Sequence, residues 1–459
     1  MNIDLLPNET QDIIKDFIIF KPMTTKELKT AVNLWCNNKD KALRKYGDIS
    51  LWDTSLITDM SELFFWKQRF NGNISKWDVS NVTDMNYMFY ACEDFNQSLN
   101  NWNVSNVTDM SEMFRYCNLF NQSLNNWDVS NVNEMGEMFS GCYVFNKPLN
   151  NWDVSNVIYM DEMFSCCYKF NQALNNWNVS KVQDMELMFF SCVNFNQSLN
   201  NWNVSNVKNM SSLFELCKKF NQPLNNWITS NVTTMENMFL GCEEFNQDIN
   251  NWDVSSVTNM WGMLSFALSF NQPLNRWDVS NVENMESLFM FCYKFNQPLN
   301  KWNVSKVQDM TGIFHTCKEF NQPLIEWDVS NVIDMEDMFH GAHSFNQPLH
   351  KWDVSNVENM YLMFWMACSF NQPLNNWDVS KVWIMSHMFA NCENFNQPLN
   401  DWVVSNVKEM NYMFANCYNF NQPLDKWDVS NVKYMESIFS GAMVFNQDLN
   451  DWNVNWEEN

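Results

Sequence analysis

Tryptophan recurs at positions 52, 77, 102, 127, 152, 177, 202, 227, 252, 277, 302, 327, 352, 377, 402, 427 and 452, and the spacing of 25 residues is never broken. Sixteen complete repeats therefore lie between Trp52 and Trp452. A 25-residue segment is too short to bury a core of its own, so its apolar face must pack against the repeats on either side. A repeat solenoid is the expected outcome, in place of the three or so domains that 459 residues would otherwise imply.

Other residue types hold the same register. Counted from each Trp, Met stands eight residues on in all sixteen repeats, from Met60 to Met435. Phe stands twelve on, with Leu264 the one substitute, and again eighteen on from Phe70 to Phe445, each of these followed by Asn. In one repeat the ladder residues are Trp102, Met110, Phe114, Cys117, Phe120 and Asn121. The segment L-N-N-W-D-V-S-N-V predicts a short strand running into a turn, with Trp and the first Val inward. M-x-x-[ML]-F-x-x-C-x-x-F has helical spacing, and the following N-Q-P-L breaks it at a proline. Each coil thus reads as strand, helical turn and return turn, an α/β unit. Stacked Asn side chains are expected to bond one another and the turn backbone, with the Ser three residues after Trp, Ser55 through Ser430, doing similar work.

Residues 1–50 fall outside the period and read as a small helical N-terminal cap over the first coil of a solenoid spanning 51–459. A helix is expected over Leu5–Phe20, and a second from Thr24, where Glu27 completes a capping box. That second helix carries an apolar stripe of Leu28, Ala31, Val32 and Trp35. A third, short helix is capped by Asp40 and stopped at Gly47. Trp66 is expected to pack on the cap and Trp456 to close the far end.

A residue present in every coil is scaffold; function belongs where coils differ. Eleven of the 14 Cys stand fifteen residues after a repeat Trp, and Ala267, Ala342, Ala367 and Ala442 replace Cys in that register. The slot therefore wants a small apolar filler, a role for reduced thiols. Asp occupies ten of the seventeen places after Trp and Asn five, which invites a row of calcium sites. Ile228 and Val403 interrupt the row and no glycine-rich calcium loop accompanies it, so a solvated face is the preferred reading.

Histidine is the sharpest departure from uniformity: of five, His315, His340, His343 and His350 cluster. His315 and His340 share one register in adjacent coils, and His343 follows His340 by about one helical turn. Three converging imidazoles form a weak candidate zinc site, with Cys317 or Glu319 as a further ligand, against the plainer reading of chance clustering. Tyr361, Trp365 and Met366 of the next coil add an aromatic patch, and with the three His they are the candidate partner-binding residues. No catalytic residue is assigned and no cofactor is expected: phosphate-loop, dinucleotide, zinc-protease and nucleophile-elbow motifs do not occur.

The 28 Lys+Arg stand against 53 Asp+Glu, a net charge of −25; since residues 1–50 carry 8 basic and 7 acidic side chains (+1), the repeats hold −26. Such acidity argues against nucleic acid and anionic membrane as partners. The N-terminal MNIDLLPNETQDIIKDF has no basic region, apolar core and cleavage site in succession, so the expected location is intracellular: cytoplasmic, or a virion if the source is viral.

The string F-N-Q-P-L-N-x-W-D-V-S-N-V-x-x-M-x-x-M-F resembles the 25-residue repeat of BspA-like leucine-rich-repeat surface proteins over residues 51–454. The resemblance implies a leucine-rich-repeat-like coil and a non-catalytic role in adhesion or protein contact. The general preference of strand crossovers makes the coil right-handed. The expected function is accordingly a non-enzymatic protein-interaction scaffold whose acidic, elongated surface meets a partner with a basic face. Two alternatives stand beside it: a structural or surface-coat component, for example of a virion, and an F-box-like substrate adaptor acting through L-P-N-E-T-Q-D-I-I-K-D-F-I.

Overall fold

The computed structural model describes residues 19–452; most of the Leu5–Phe20 stretch, with the F-box-like string inside it, and Trp456 lie outside the described residues. The chain divides into two compact bodies, Met1–Asn209 with Leu213–Gln222, and Met210–Ser212 with Pro223–Asn459.

The described residues of the first body open with helices α1 (Thr25–Asn37) and α2 (Lys39–Tyr46). The Thr24 hydroxyl accepts the Glu27 N–H at 3.2 Å, and the Glu27 carboxylate accepts the Met23 N–H at 2.7 Å, which satisfies two donors that a helix start leaves unpaired. Leu28, Ala31, Val32 and Trp35 are its buried face. In α2 the cap is Asn38, whose Oδ1 accepts the Lys41 N–H at 3.0 Å, and not Asp40, which lies in the first turn. Gly47, at φ +70°, ends the helix. Phe20, Tyr46 and Trp35 surround Trp52 at ring-centroid distances of 5.2, 6.0 and 6.1 Å, and the Asp53 N–H donates to the Phe20 carbonyl at 3.0 Å. Trp66 makes no such contact with the described residues of the cap: it is 57% exposed, beside Phe65 and Tyr90.

Within the described coils there is neither an α-helix nor a strand, so the expected strand and helical turn are corrected. Their place is taken by an alternating hydrogen-bond scheme. The N–H groups of Met60, Glu62, Phe64 and Trp66 donate to the carbonyls of Asp84, Asn86, Met88 and Tyr90 on the next coil, at 2.8–3.0 Å for these four. The intervening N–H groups of Leu63, Phe65 and Lys67 donate instead to Met60, Glu62 and Phe64, three residues back in the same coil. The second body repeats the scheme: Met310, Gly312, Phe314 and Thr316 donate to Asp334, Glu336, Met338 and His340. A helix would use every N–H inside one coil and leave the stack unbonded; this arrangement closes the coil and joins it to its neighbour at once.

Alternation of this kind needs left-handed backbone. Glu62 and Trp66 have φ of 55° and 59°, and the equivalent positions ten and fourteen residues after later Trp do likewise, most of them without glycine. Side chains with Cβ sit there at about 1 kcal/mol each, a strain that holds only because the stack imposes it. Single parallel bridges seven residues after the Trp, such as Asp84 to Asp109 and Asp334 to Asn359, are the only sheet-like pairing among the described residues.

The core rings align along each body. Phe114 and Phe139 lie 5.6 Å apart at 6°, and Trp127 and Trp152 6.3 Å apart at 1°. In the second body Phe314 and Phe339 are 5.7 Å apart, and Trp377 and Trp402 6.5 Å. Such pairs add about 0.5–1.5 kcal/mol to the gain from burial. Polar atoms within the ladder are matched coil to coil. The Leu99 carbonyl accepts the N–H of Trp102 and, at 2.9 Å, the indole N–H of Trp127. The Cys142 thiol donates to the Phe114 carbonyl at 3.0 Å, so the cysteine slot selects a weak donor as well as a small volume. All 14 Cys are free. Asn146 Oδ1 accepts the Asn171 N–H at 3.0 Å and the Gln172 amide at 2.8 Å.

Two stability measurements test this scheme by chemical denaturation. Asn146→Ala strands two donors and is expected to cost about 1–3 kcal/mol, whereas Asn146→Asp keeps the acceptor and costs less. Leu187, at φ 53°, is expected to melt lower as Val than as Asn, because branching at Cβ is worst tolerated in left-handed backbone.

Candidate functional site

With the repeated positions committed to the ladder, variation falls on the turns seven to fourteen residues after each Trp. In the first body this face is acidic. Bridging Asp84 to Asp109 and Asp109 to Glu134 places carboxylates on successive coils, with Asp161, Glu162 and Glu186 beyond. Burial pushes the Asp84, Glu134, Asp161 and Glu162 carboxyls above the usual range, and repulsion from neighbouring acids adds to it. Arg115 counters part of this charge: its guanidinium meets Glu112 at 2.9 Å and also contacts Glu137.

The Asp row after Trp behaves differently. Each side chain accepts the N–H of the Ser two residues on, as Asp153 does from Ser155 at 3.0 Å and Asp353 from Ser355 at 3.1 Å. The Ser bonds hold the Asp153 and Asp353 carboxyls below the ordinary range. Asn performs the same turn at Asn103 and Asn203, which explains the exchange of Asp with Asn along the row.

The second body carries the histidines. Asp337, His315 and His340 bring ligand-capable atoms within 4.8 Å of one another. His340 Nδ1 lies 2.8 Å from Asp337 Oδ1, and His315 Nδ1 lies 3.9 Å from Asp337 Oδ2. The two imidazoles lie 4.0 Å apart at a 43° tilt, with Phe291 at 5.1 Å from His315 on one side and Trp365 at 4.4 Å from His340 on the other. Burial drives His315 down to about 4, assisted by His340 and opposed by Asp337. His315 Nδ1 is buried with no hydrogen-bond partner.

The sequence-based set is therefore redrawn. His343 is half-buried and outside this group, its pKa lowered first by burial and then by Lys318. Cys317 is fully buried with its thiol on the Phe289 carbonyl, and Glu319 is not in the group either; the third member is Asp337. Its signal was present: the offset ten position precedes offset thirteen by three residues, so Asp337 faces both His340 and the preceding coil's His315. Tyr361 meets His387 edge-on at 6.0 Å, and Met366 is 38% exposed. His387, the fifth histidine, also stacks on Tyr412 at 4.9 Å and was missed because it sits in the offset ten register.

The acidic face yields a direct test. Asp161 has a raised carboxyl, so its penalty to folding is present above its folded pKa and absent below the unfolded value of about 4. Asp161→Asn is expected to raise the melting temperature at about pH 7.5 and to leave it unchanged near pH 4, read by calorimetry. A lower melting temperature at neutral pH would contradict the assignment.

The chain matches the family model described as "Mycoplasma protein of unknown function, DUF285" over residues 35–149, 122–227, 209–324, 292–385 and 372–459. No curated protein matches it. Among solved structures it is similar to a chain of the glycosylated Toll–Spatzle complex, "a molecular hub in Drosophila development and innate immunity", at 10% identity and a TM-score of 0.22. That likeness covers 81% of this chain and 53% of the other, so the chain spans about half the length of its counterpart. The overlapping matches to the family model run from residue 35 to residue 459, and the chain belongs to the DUF285 family.

Proposed function

We propose that the protein is a non-catalytic protein-interaction scaffold of the BspA-like, leucine-rich-repeat-like kind. On this reading sixteen coils wind right-handed beneath a cap formed by residues 1–50. The observation that carries it is the division of labour in each coil. Trp, Met, Phe, Cys and Asn are consumed by the ladder, while the turn positions that vary are held at fixed spacing by the same backbone bonds. Such a surface presents side chains in register without spending ordering entropy on binding.

Acidity along that surface selects a partner with a basic face, and neither nucleic acid nor membrane suits it. Among the described residues no helix is long and apolar enough to cross a membrane. An intracellular setting, cytoplasmic or within a virion, agrees with the free thiols, which an oxidising compartment would tend to pair.

The test is affinity capture with the full chain from its native cells at about 50 mM and about 500 mM salt. A cognate partner is expected to be basic, to weaken at the higher salt, and to be lost when Asp161 and Glu186 are both changed to Lys. A partner held equally in all conditions would remove the electrostatic part of the reading. Recovery of the chain chiefly in an assembled particle, with no separate partner, would favour a structural coat role.

A further inference from the structure

We propose that His315, His340 and Asp337 form a binding site for one divalent transition-metal ion of the zinc class. The site stands apart from the scaffold reading and rests on three observations. Its three donors are of the types zinc takes, two imidazoles and a carboxylate, and they come from adjacent coils whose spacing the ladder fixes. Donor atoms on one tetrahedral zinc lie about 3.3 Å apart, from bond lengths of about 2.0–2.1 Å. Here the pairs involving Asp337 stand at 2.8 and 3.9 Å, and all three fall within 4.8 Å, so small side-chain rotations bring them to that separation. The third observation is His315 Nδ1, buried without a hydrogen-bond partner and 3.9 Å from Asp337 Oδ2; a polar atom in that state is costly unless something coordinates it.

The surroundings favour a cation. Glu336 adjoins Asp337, and Asp334 and Asp309 continue the acidic row. Lys318, the nearby cation, sits over the Tyr293 ring at 4.1 Å. Three protein donors leave a fourth position for water or for a side chain of a bound protein, which is how metal sites with incomplete protein ligation are built. Phe291 and Trp365 close the two ends of the imidazole pair and hold the ring orientations.

The experiment uses the full, tag-free chain, stripped with chelator, with Zn2+ titrated by calorimetry and Co2+ by its visible ligand-field bands. The expected result is one ion per chain, Co2+ bands of tetrahedral intensity, competition by Zn2+, and no response to Mg2+. Asp337→Asn, isosteric and still able to bond His340, and His315→Gln are each expected to weaken binding by more than about tenfold. His343→Ala is expected to bind as the parent does. Unaltered melting curves for Asp337→Asn separate loss of the ion from loss of the fold. Absence of saturable binding by the parent chain, or equal affinity in both ligand variants, overturns the proposal.

Discussion

The structure depends on a backbone that shares its hydrogen bonds between two directions. Every second N–H in the segment from Met60 to Trp66 closes a turn within the coil, and the others reach the next coil. Neither half would suffice alone. Turns without the intercoil bonds would be isolated loops, and intercoil bonds without the turns would demand a flat strand too long for a 25-residue circuit. The strained φ values near 55–60° at Glu62, Trp66, Glu112 and Tyr116 follow directly, since only an alternation of backbone hand can aim successive N–H groups in different directions.

Side chains complete what that backbone leaves open, which is why a chain of mean hydropathy −0.39 folds around a dense aromatic core. Carbonyls of Leu and Phe have a second lone pair facing the neighbouring coil; a Trp indole takes the first and a Cys thiol the other. Asn at the F-N corner accepts from two donors of the next coil, as Asn146 does from Asn171 and Gln172, and Asn four residues after Trp donates to a Ser carbonyl of the previous one, as Asn131 does to Ser105 at 2.7 Å. Polar residues that look like surface in the sequence are thus part of the interior accounting.

Period, ladder membership and the separation of repeated from variable positions were legible because they depend only on register. Secondary structure inside the coil was not. Met110, Met113, Phe114 and Cys117 have helical spacing, yet they are buried in a coil without a helix, because a series of tight turns also brings residues three and four apart onto its inner side. Amphipathic periodicity reports which side chains face the core and is silent on where the N–H groups go. The histidine site fared similarly. Shared register identified the neighbouring His315 and His340, but helical reasoning added His343 and passed over Asp337, whose left-handed backbone at φ 56° turns it toward both rings. Tertiary stacking, not local propensity, set that geometry.

The variable positions are also coupled to one another, which changes how such a surface can diversify. Successive side chains at offsets ten and fourteen lie directly over those of the preceding coil, so the size of one limits the next. A Cβ on Gly141 would collide with the Tyr116 ring, one on Gly262 with the Asn237 amide, and one on Gly441 with the Asn416 amide. Glycine therefore follows a large or polar neighbour in these columns for reasons of space as well as backbone hand. A side chain retained at such a position, as Asp337 and His387 are, keeps left-handed strain of about 1 kcal/mol that glycine would relieve. What these columns can present is therefore set by pairs of adjacent coils, and the stability effects of substitutions within one column should combine non-additively while those several coils apart add.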